Sequence, residues 1–515
     1  MTHAAALATL LVLQACLAAW FLSARAPGTD AAWSGLPLDD AWIHLVYGRS
    51  LAHHGLPYYN VGQLEAGFTS PLWAVVAAVA VLISDFSGLP VAVALKLLCL
   101  LSGIALTLGV YELTRALAGG VLGPLVAGLL TVLTPGLVFA QLSGMEVSLA
   151  AALSAWGLRA LRLERHRAAG LLLGLAVITR PELVLLVGCA IAAAALFSGP
   201  GGAGRLMRLA WLAAPTVVLL ALWAAYCLAV SGHPLPNTFY AKFSLMQQDH
   251  GPVDRLREMF LWLPLPFLVP AAALWIAAAV LAQRWRSDAT LAVLAGPWVM
   301  VAGLALTRDF PPGSAAYFYW LRYVLPVAPL LYVPVAVACE LLSRQLASGR
   351  VGKLTGALAG GALAAGLLWR LPLDLPAARE AYAWNCQNIE EVQVAVGRWI
   401  AANTPPGAVV VVNDAGAICY FGGRRTIDLI GLNYHPLALD KPRLIRIVRS
   451  ATELRQFMQE QRADYLAVFP KVFAEALDSP EGRRFFIRLH MAQSAHYTVA
   501  PTDAQDVKVV MQRVR

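Results

Sequence analysis

Two adjacent carboxylates stand in the run Leu38-Asp39-Asp40-Ala41-Trp42-Ile43, followed by His44, Tyr47, Arg49 and His53-His54. Like charges crowd each other, so one of such a pair holds its proton more tightly and can act as a base near neutral pH. A carboxylate of that kind is a reasonable general base for an alcohol attacking an activated carbon. A phosphate leaving group would call for cations, arginine being the better bidentate partner. Arg180, Lys242 and Arg322 are the candidates, in that order of interest. Further polar residues gather at Ser143-Gly144-Met145-Glu146, at Thr179-Arg180-Pro181-Glu182, and from His233 to Lys242, a stretch that includes Asn237 and Tyr240.

Each of these residues also has a plainer role. Asp39 could cap a helix starting near Asp40, and Glu146 could simply favour a helix N-terminus. Arg180 could pair with Glu182, Lys242 could be a loop lysine, and Arg322 could reach lipid headgroups. Trp42, Tyr58, Tyr59 and Trp73 could stack on a sugar or anchor at a membrane interface. For His44, His53 and His54 no third ligand stands at metal-site spacing. The residues alone leave the catalytic and structural readings open.

The elements that hold these groups are set by composition. The chain has 515 residues, 59% hydrophobic and 13% charged, with mean hydropathy +0.64. Soluble domains carry about 25% charged residues, so a wholly soluble protein is excluded. A membrane helix needs about 20 apolar residues. Runs that fit are 4–23, 91–113, 121–141, 145–161, 168–178, 182–198, 209–230, 259–282, 288–306, 323–343 and 354–371. The run 71–83 is short and reads as an interfacial or re-entrant helix. Leaving it out puts Arg115, Arg159, Arg205, Arg284 and Arg344 on one side, the cytoplasmic one by the positive-inside rule. The N-terminus is then cytoplasmic. The formal charge of +9 therefore reads as a topology signal rather than a nucleic-acid surface. The first helix lacks a basic flank and reads as a span rather than a cleaved leader.

The fold class expected is thus a polytopic α-helical membrane protein of about 11 spans over 1–373, its long external loop at 27–70, followed by an extracytoplasmic α/β domain over 374–515. In that domain helices are predicted over 388–402 and 451–461, and strands over 409–412, 465–469 and 507–511. Cys386 and Cys419 would pair only in an oxidising compartment.

The ordered set of motifs resembles a bacterial membrane glycosyltransferase family that includes the actinobacterial terminal arabinofuranosyltransferase, within the broader GT-C superfamily. The motifs are Leu38 to Ile43, Glu65 to Trp73, Ser143 to Glu146, Thr179 to Glu182, Pro236 to Lys242, Arg322-Tyr323-Val324-Leu325-Pro326, Asp414 to Ile418 and Ile427 to Leu432. The resemblance implies an inverting transfer from a polyprenyl-phosphate-linked sugar, with arabinofuranose suggested, to an envelope glycan or glycoprotein at the outer face of the bacterial plasma membrane. Asp39 and Asp40 would be catalytic, one of them the base, with Asp40 favoured. Glu146, Arg180, Glu182, Asn237, Tyr240, Lys242, Arg322 and His44 would bind substrate. Glu146 would position the acceptor or, as in some relatives, a divalent metal; no cofactor is otherwise implied. The external domain would cover the site and guide the acceptor. A transporter or flippase of lipid-linked glycans, with the external domain as receptor, is the competing class. The lack of mid-membrane charge weighs against it.

Overall fold

The structure, a computed structural model, describes residues 2–26, 30–197, 203–245, 251, 253–254, 288–307, 322–347, 371–494 and 507–514. The predicted span 259–282, nearly all of 354–371, and the side chain of Lys242 lie outside the described residues.

Helix α1 (His3–Leu22) begins where Thr2 Oγ1 accepts a hydrogen bond from the Ala5 amide. Next come α2 (Ala31–Ser34) and α3 (Asp39–His54), then a hairpin of β1 (Tyr58–Asn60) and β2 (Gln63–Leu64). Helix α4 runs Pro71–Ser87, four residues beyond the predicted 71–83. Val75, Val79, Leu82 and Phe86 form an exposed stripe along it, at the spacing of one helix face. Helix α5 (Val91–Ala118) carries Lys96, buried, whose Nζ donates to the carbonyls of Ala32 (2.6 Å) and Trp33 (3.0 Å). The long first loop is thereby tied to the helical body.

The single span expected over 121–141 is instead two helices, α6 (Leu122–Leu133) and α7 (Pro135–Ala140). The break follows from Pro135, which lacks a backbone N–H and pushes Thr134 out of helical conformation. After α8 (Val147–Arg162), α9 (His166–Thr179) and α10 (Val184–Phe197) meet at a short turn over Pro181–Leu183, two helices as the sequence predicts. Helices α11 (Ala203–Ser231), α12 (Asn237–Leu245), α13 (Asp288–Thr307) and α14 (Ala328–Ala347) follow. Helix α5 packs on α6 and α8, α8 on α9, α9 on α11, and α10 on α13. Among the described residues, His3–Leu22, Val91–Ala118 and Gly204–Ser231 are long and apolar enough to cross a membrane, with shorter apolar helices beside them. These apolar helices mark a membrane protein.

Helix α15 (Leu371–Ile389) crosses the expected boundary at 373/374 and packs on α1, α2 and α7. It continues through a wider turn at Glu390–Val394 into α16 (Ala395–Asn403). The C-terminal sheet has the order β4-β3-β5-β7-β6. Strand β3 (Val409–Val412) is parallel to β4 (Arg425–Asp428) and β5 (Tyr465–Val468). Strand β7 (Val507–Arg513) runs antiparallel to β5 and β6 (Phe486–Gln493). The predicted strands are present. The sequence pattern misses β4, which mixes Arg425 and Asp428 into four residues, and β6, whose Ile487, Leu489 and Met491 are exposed. Cys386 and Cys419 are buried and unpaired.

Candidate functional site

Asp40, Ile43 and His44 share one face of α3 and line a cavity of about 340 Å³. Spacing of three and four residues brings side chains to one face. Arg322, just before α14, places Nη1 2.7 Å from Asp40 Oδ2, the arginine buried and the aspartate 22% exposed. Tyr323 completes this wall, with both Arg322 and Arg180 about 5 Å from its ring centroid, within cation–π range.

Adjoining it is a chain of charges in which Arg180 and Glu146 are buried and Glu182 is partly so. Glu146 precedes α8 on a turn at Gly144, where φ is +77° and an added Cβ would lie 2.9 Å from Leu36. Glycine meets both demands. Arg180, 5% exposed, donates to Glu146 Oε1 at 2.7 Å and to Glu182 Oε1 through Nε at 2.9 Å and Nη2 at 2.5 Å. His44 Nε2 faces Glu146 Oε2 at 3.5 Å. Toward the far end of α8 stands Arg159, paired with Glu112, about 20 Å from Glu146 at 1.5 Å per residue. The cavity and that arginine thus lie toward opposite ends of α8.

The roof comes from residues 67–70 of the first loop, from Leu235, Pro236, Thr238 and Phe239, and from Leu432 of the C-terminal region. Glu65 holds these pieces together. Its carboxylate accepts from Asn237 Nδ2 at 2.9 Å and lies 3.1 Å from His435 Nδ1. Tyr47 donates to Asn433 Oδ1, Tyr59 to the Ala415 carbonyl, and Asn60 exchanges two hydrogen bonds with Thr426. Asn237 is therefore a roof support and does not line the cavity. Tyr240 does not line it either and instead meets His233 and Phe239 edge-on. Sequence reasoning passed over the Glu65–His435 link, because the partners are 370 residues apart and neither is unusual locally.

Asp39, although adjacent to Asp40, does not line the cavity. Its two oxygens accept from the backbone amides of Gly416 (2.9 Å) and Ala417 (2.8 Å) in the C-terminal region. A Cβ on Gly416 would sit 2.1 Å from the Asp39 carbonyl oxygen, so only glycine allows this approach. Beside it, Asp414 pairs with Lys508, which is fully buried. Burial, and then the Asp414 carboxylate, push Asp39 up to about 8, against the two amides and Lys508. A group held more tightly protonated when folded stabilises fully below its unfolded value, here 3.8, and less as pH rises toward 8. An Asp39→Asn variant should therefore show a flatter fall of unfolding midpoint between about pH 4 and 8, measurable by tryptophan fluorescence across a pH series.

Glu146 is engaged by Arg180 and faces His44, and Asp40 is engaged by Arg322. Among the described residues no three His, Cys, Asp or Glu side chains converge in the way a zinc site requires.

A family model described as a domain of unknown function, DUF8728, matches residues 387–510, which include Gly416 and Ala417, whose amides grip Asp39. No curated protein sequence matches the chain. Solved structures do match its fold. The oligosaccharyltransferase AglB of Archaeoglobus fulgidus, in complex with an inhibitory peptide and a dolichol-phosphate, is 11% identical, with TM-score 0.61 over 94% of this chain and 73% of its own. ArnT from Cupriavidus metallidurans, bound to undecaprenyl phosphate, is 16% identical, with TM-score 0.58 over 98% of this chain and 97% of its own. The mycobacterial arabinofuranosyltransferase AftD is 15% identical, with TM-score 0.56 over 99% of this chain and 40% of its own. At such identities the likeness is one of fold. The chain shares the fold of the GT-C membrane glycosyltransferases, a helical membrane body carrying a C-terminal mixed sheet.

Proposed function

We propose that the protein is an inverting glycosyltransferase that moves a sugar from a polyprenyl-phosphate donor to a cell-envelope acceptor, a glycan or glycoprotein, outside the bacterial plasma membrane. The observation that carries this reading is the Asp40–Arg322 pair, 2.7 Å apart on the wall of a cavity at one end of a membrane helical body. Asp40 takes the proton from the acceptor hydroxyl as that oxygen attacks the anomeric carbon. The new C–O bond forms on the face opposite the departing phosphate, so configuration inverts. The C–O bond to phosphate breaks, and its electron pair leaves with polyprenyl phosphate. Arg322 meets that charge, because a guanidinium has five N–H donors and can hold a carboxylate and a phosphodiester together.

Arg180, Glu146 and Glu182 shape the adjoining wall, and Glu146 orients the acceptor. Asp39 positions Asp40 by fixing the first turn of α3 to the external domain. Arabinofuranose is the sugar that the motifs favour. The phosphate ligands named in the AglB and ArnT structures support a lipid-phosphate donor here.

The test is purified protein in lipid nanodiscs with radiolabelled polyprenyl-phosphate arabinofuranose and an arabinan acceptor. Label should pass to the acceptor with release of equimolar polyprenyl phosphate. Movement of label across reconstituted vesicles without transfer would instead identify a carrier.

A further inference from the structure

Most polar side chains around the cavity already have partners. Arg180 bonds Glu146 and Glu182, Asp40 pairs with Arg322, and the Thr238 hydroxyl donates to the Gly67 carbonyl at 3.0 Å. Among the residues that line the cavity, His44 Nδ1, Ser70 Oγ and Glu146 Oε2 are buried atoms with no hydrogen-bond partner among the described residues. Glu146 Oε2 faces His44 Nε2 at 3.5 Å, which leaves His44 Nδ1 and Ser70 Oγ as the two that face no charged group named above. His44 is 6% exposed and Ser70 1% exposed. Ser70 occupies the N-cap of α4, a position where serine ordinarily accepts from the helix amides, yet its hydroxyl makes no cap bond. Buried polar atoms left open in this way are costly and call for a ligand or water. The two residues come from different elements, α3 and the loop before α4, and line the same space as Asp40.

We infer that His44 Nδ1 and Ser70 Oγ recognise hydroxyl groups of a sugar in the cavity and so determine which sugar is accepted; this rests on the transferase reading above. Glu146 Oε2 faces His44 Nε2 at 3.5 Å. With the ring proton on that nitrogen, Nδ1 presents a lone pair and accepts an O–H. The serine hydroxyl both donates and accepts, so the pair matches the mixed donor–acceptor character of sugar hydroxyls. A buried site built for a hydroxyl rejects the analogue lacking it far more strongly than an apolar pocket rejects an added group.

The experiment measures binding and turnover of polyprenyl-phosphate arabinofuranose and its 2-deoxy and 3-deoxy analogues by wild type, Ser70→Ala, His44→Asn and His44→Gln. Asn reproduces the Nδ1 side of the ring, whereas Gln reproduces the Nε2 side. Ser70→Ala should weaken the parent sugar roughly ten-fold while leaving one deoxy analogue unchanged. His44→Asn should retain more hydroxyl discrimination than His44→Gln. A loss in donor binding with no acceptor present assigns the hydroxyl to the donor. A loss confined to the acceptor's KM, measured with a deoxy acceptor series, assigns it to the acceptor. Equal losses on parent and deoxy sugars, with Gln rescuing better than Asn, would overturn the inference and leave His44 a mere support of Glu146. If wild type binds the sugars with hydroxyl-dependent affinity but transfers none, the transferase reading falls and recognition stands. If wild type transfers and Ser70→Ala discriminates as wild type does, the recognition role falls and the transferase stands.

Discussion

An Asp40→Asn variant should transfer sugar about 10³-fold more slowly than wild type, within the range that a general base contributes, while it still folds with a lowered unfolding midpoint. The amide keeps the size of the carboxylate but cannot take the acceptor proton. Its oxygen can still accept from Arg322, but the buried guanidinium loses its counter-charge, which costs stability. The informative comparison is Asp39→Asn. That side chain grips Gly416 and Ala417 outside the cavity, and its amide can still accept one of the two N–H bonds. Its expected loss is about ten-fold, through misplacement of the first turn of α3. Single-turnover assays of both variants with the same donor decide the matter: an inactive Asp39→Asn beside a fully active Asp40→Asn would reverse the two roles.

The second large effect belongs to Arg180. It is the shared cation of Glu146 and Glu182, and its side chain is 5% exposed. Breaking a buried ion pair from one side costs about 3–5 kcal/mol, because the remaining charge is left without a partner. Arg180→Gln should lower the unfolding midpoint of the detergent-solubilised protein substantially and reduce transfer at least about 100-fold, since Glu146 and the His44 ring behind it lose their anchor. Arg180→Lys should not restore the wall, because one ammonium lacks the planar fork that spans two carboxylates. Adding Glu182→Gln to Arg180→Gln removes one stranded charge and should return part of the stability without returning transfer. If the double variant is no more stable than the single one, the wall is not held by this electrostatic link.

Some of this was legible in the residues. Arg180 stood out because a guanidinium inside an apolar run must have carboxylate partners, and Glu182 was near enough in sequence to be one. Glu146 was conspicuous as an acid at a glycine turn opening a helix. The link between them was not legible, because it spans 34 residues and two helices. The two histidines at 53 and 54 drew notice as possible ligands, yet His53 faces Asp85 at 2.8 Å on an exposed surface. Asn237 lay in a polar motif, but its partner Glu65 turns it into a roof support.

Sequence by itself determined the apolar body, the helix break at Pro181, three of the strands and the crowding of polar residues into a few short motifs. Those features follow from local rules: apolar run length, proline's missing donor, and alternation along a strand. Tertiary structure alone decided where each of the adjacent aspartates faces. Neighbouring residues on a helix point about 100° apart, so when α3 docks, one carboxylate must face the cavity and the other must face elsewhere. Which one does so depends on where Gly416 and Ala417 lie, more than 370 residues further along the chain. The same holds for His44 and Ser70, whose open polar atoms exist only because packing buries them without supplying a partner.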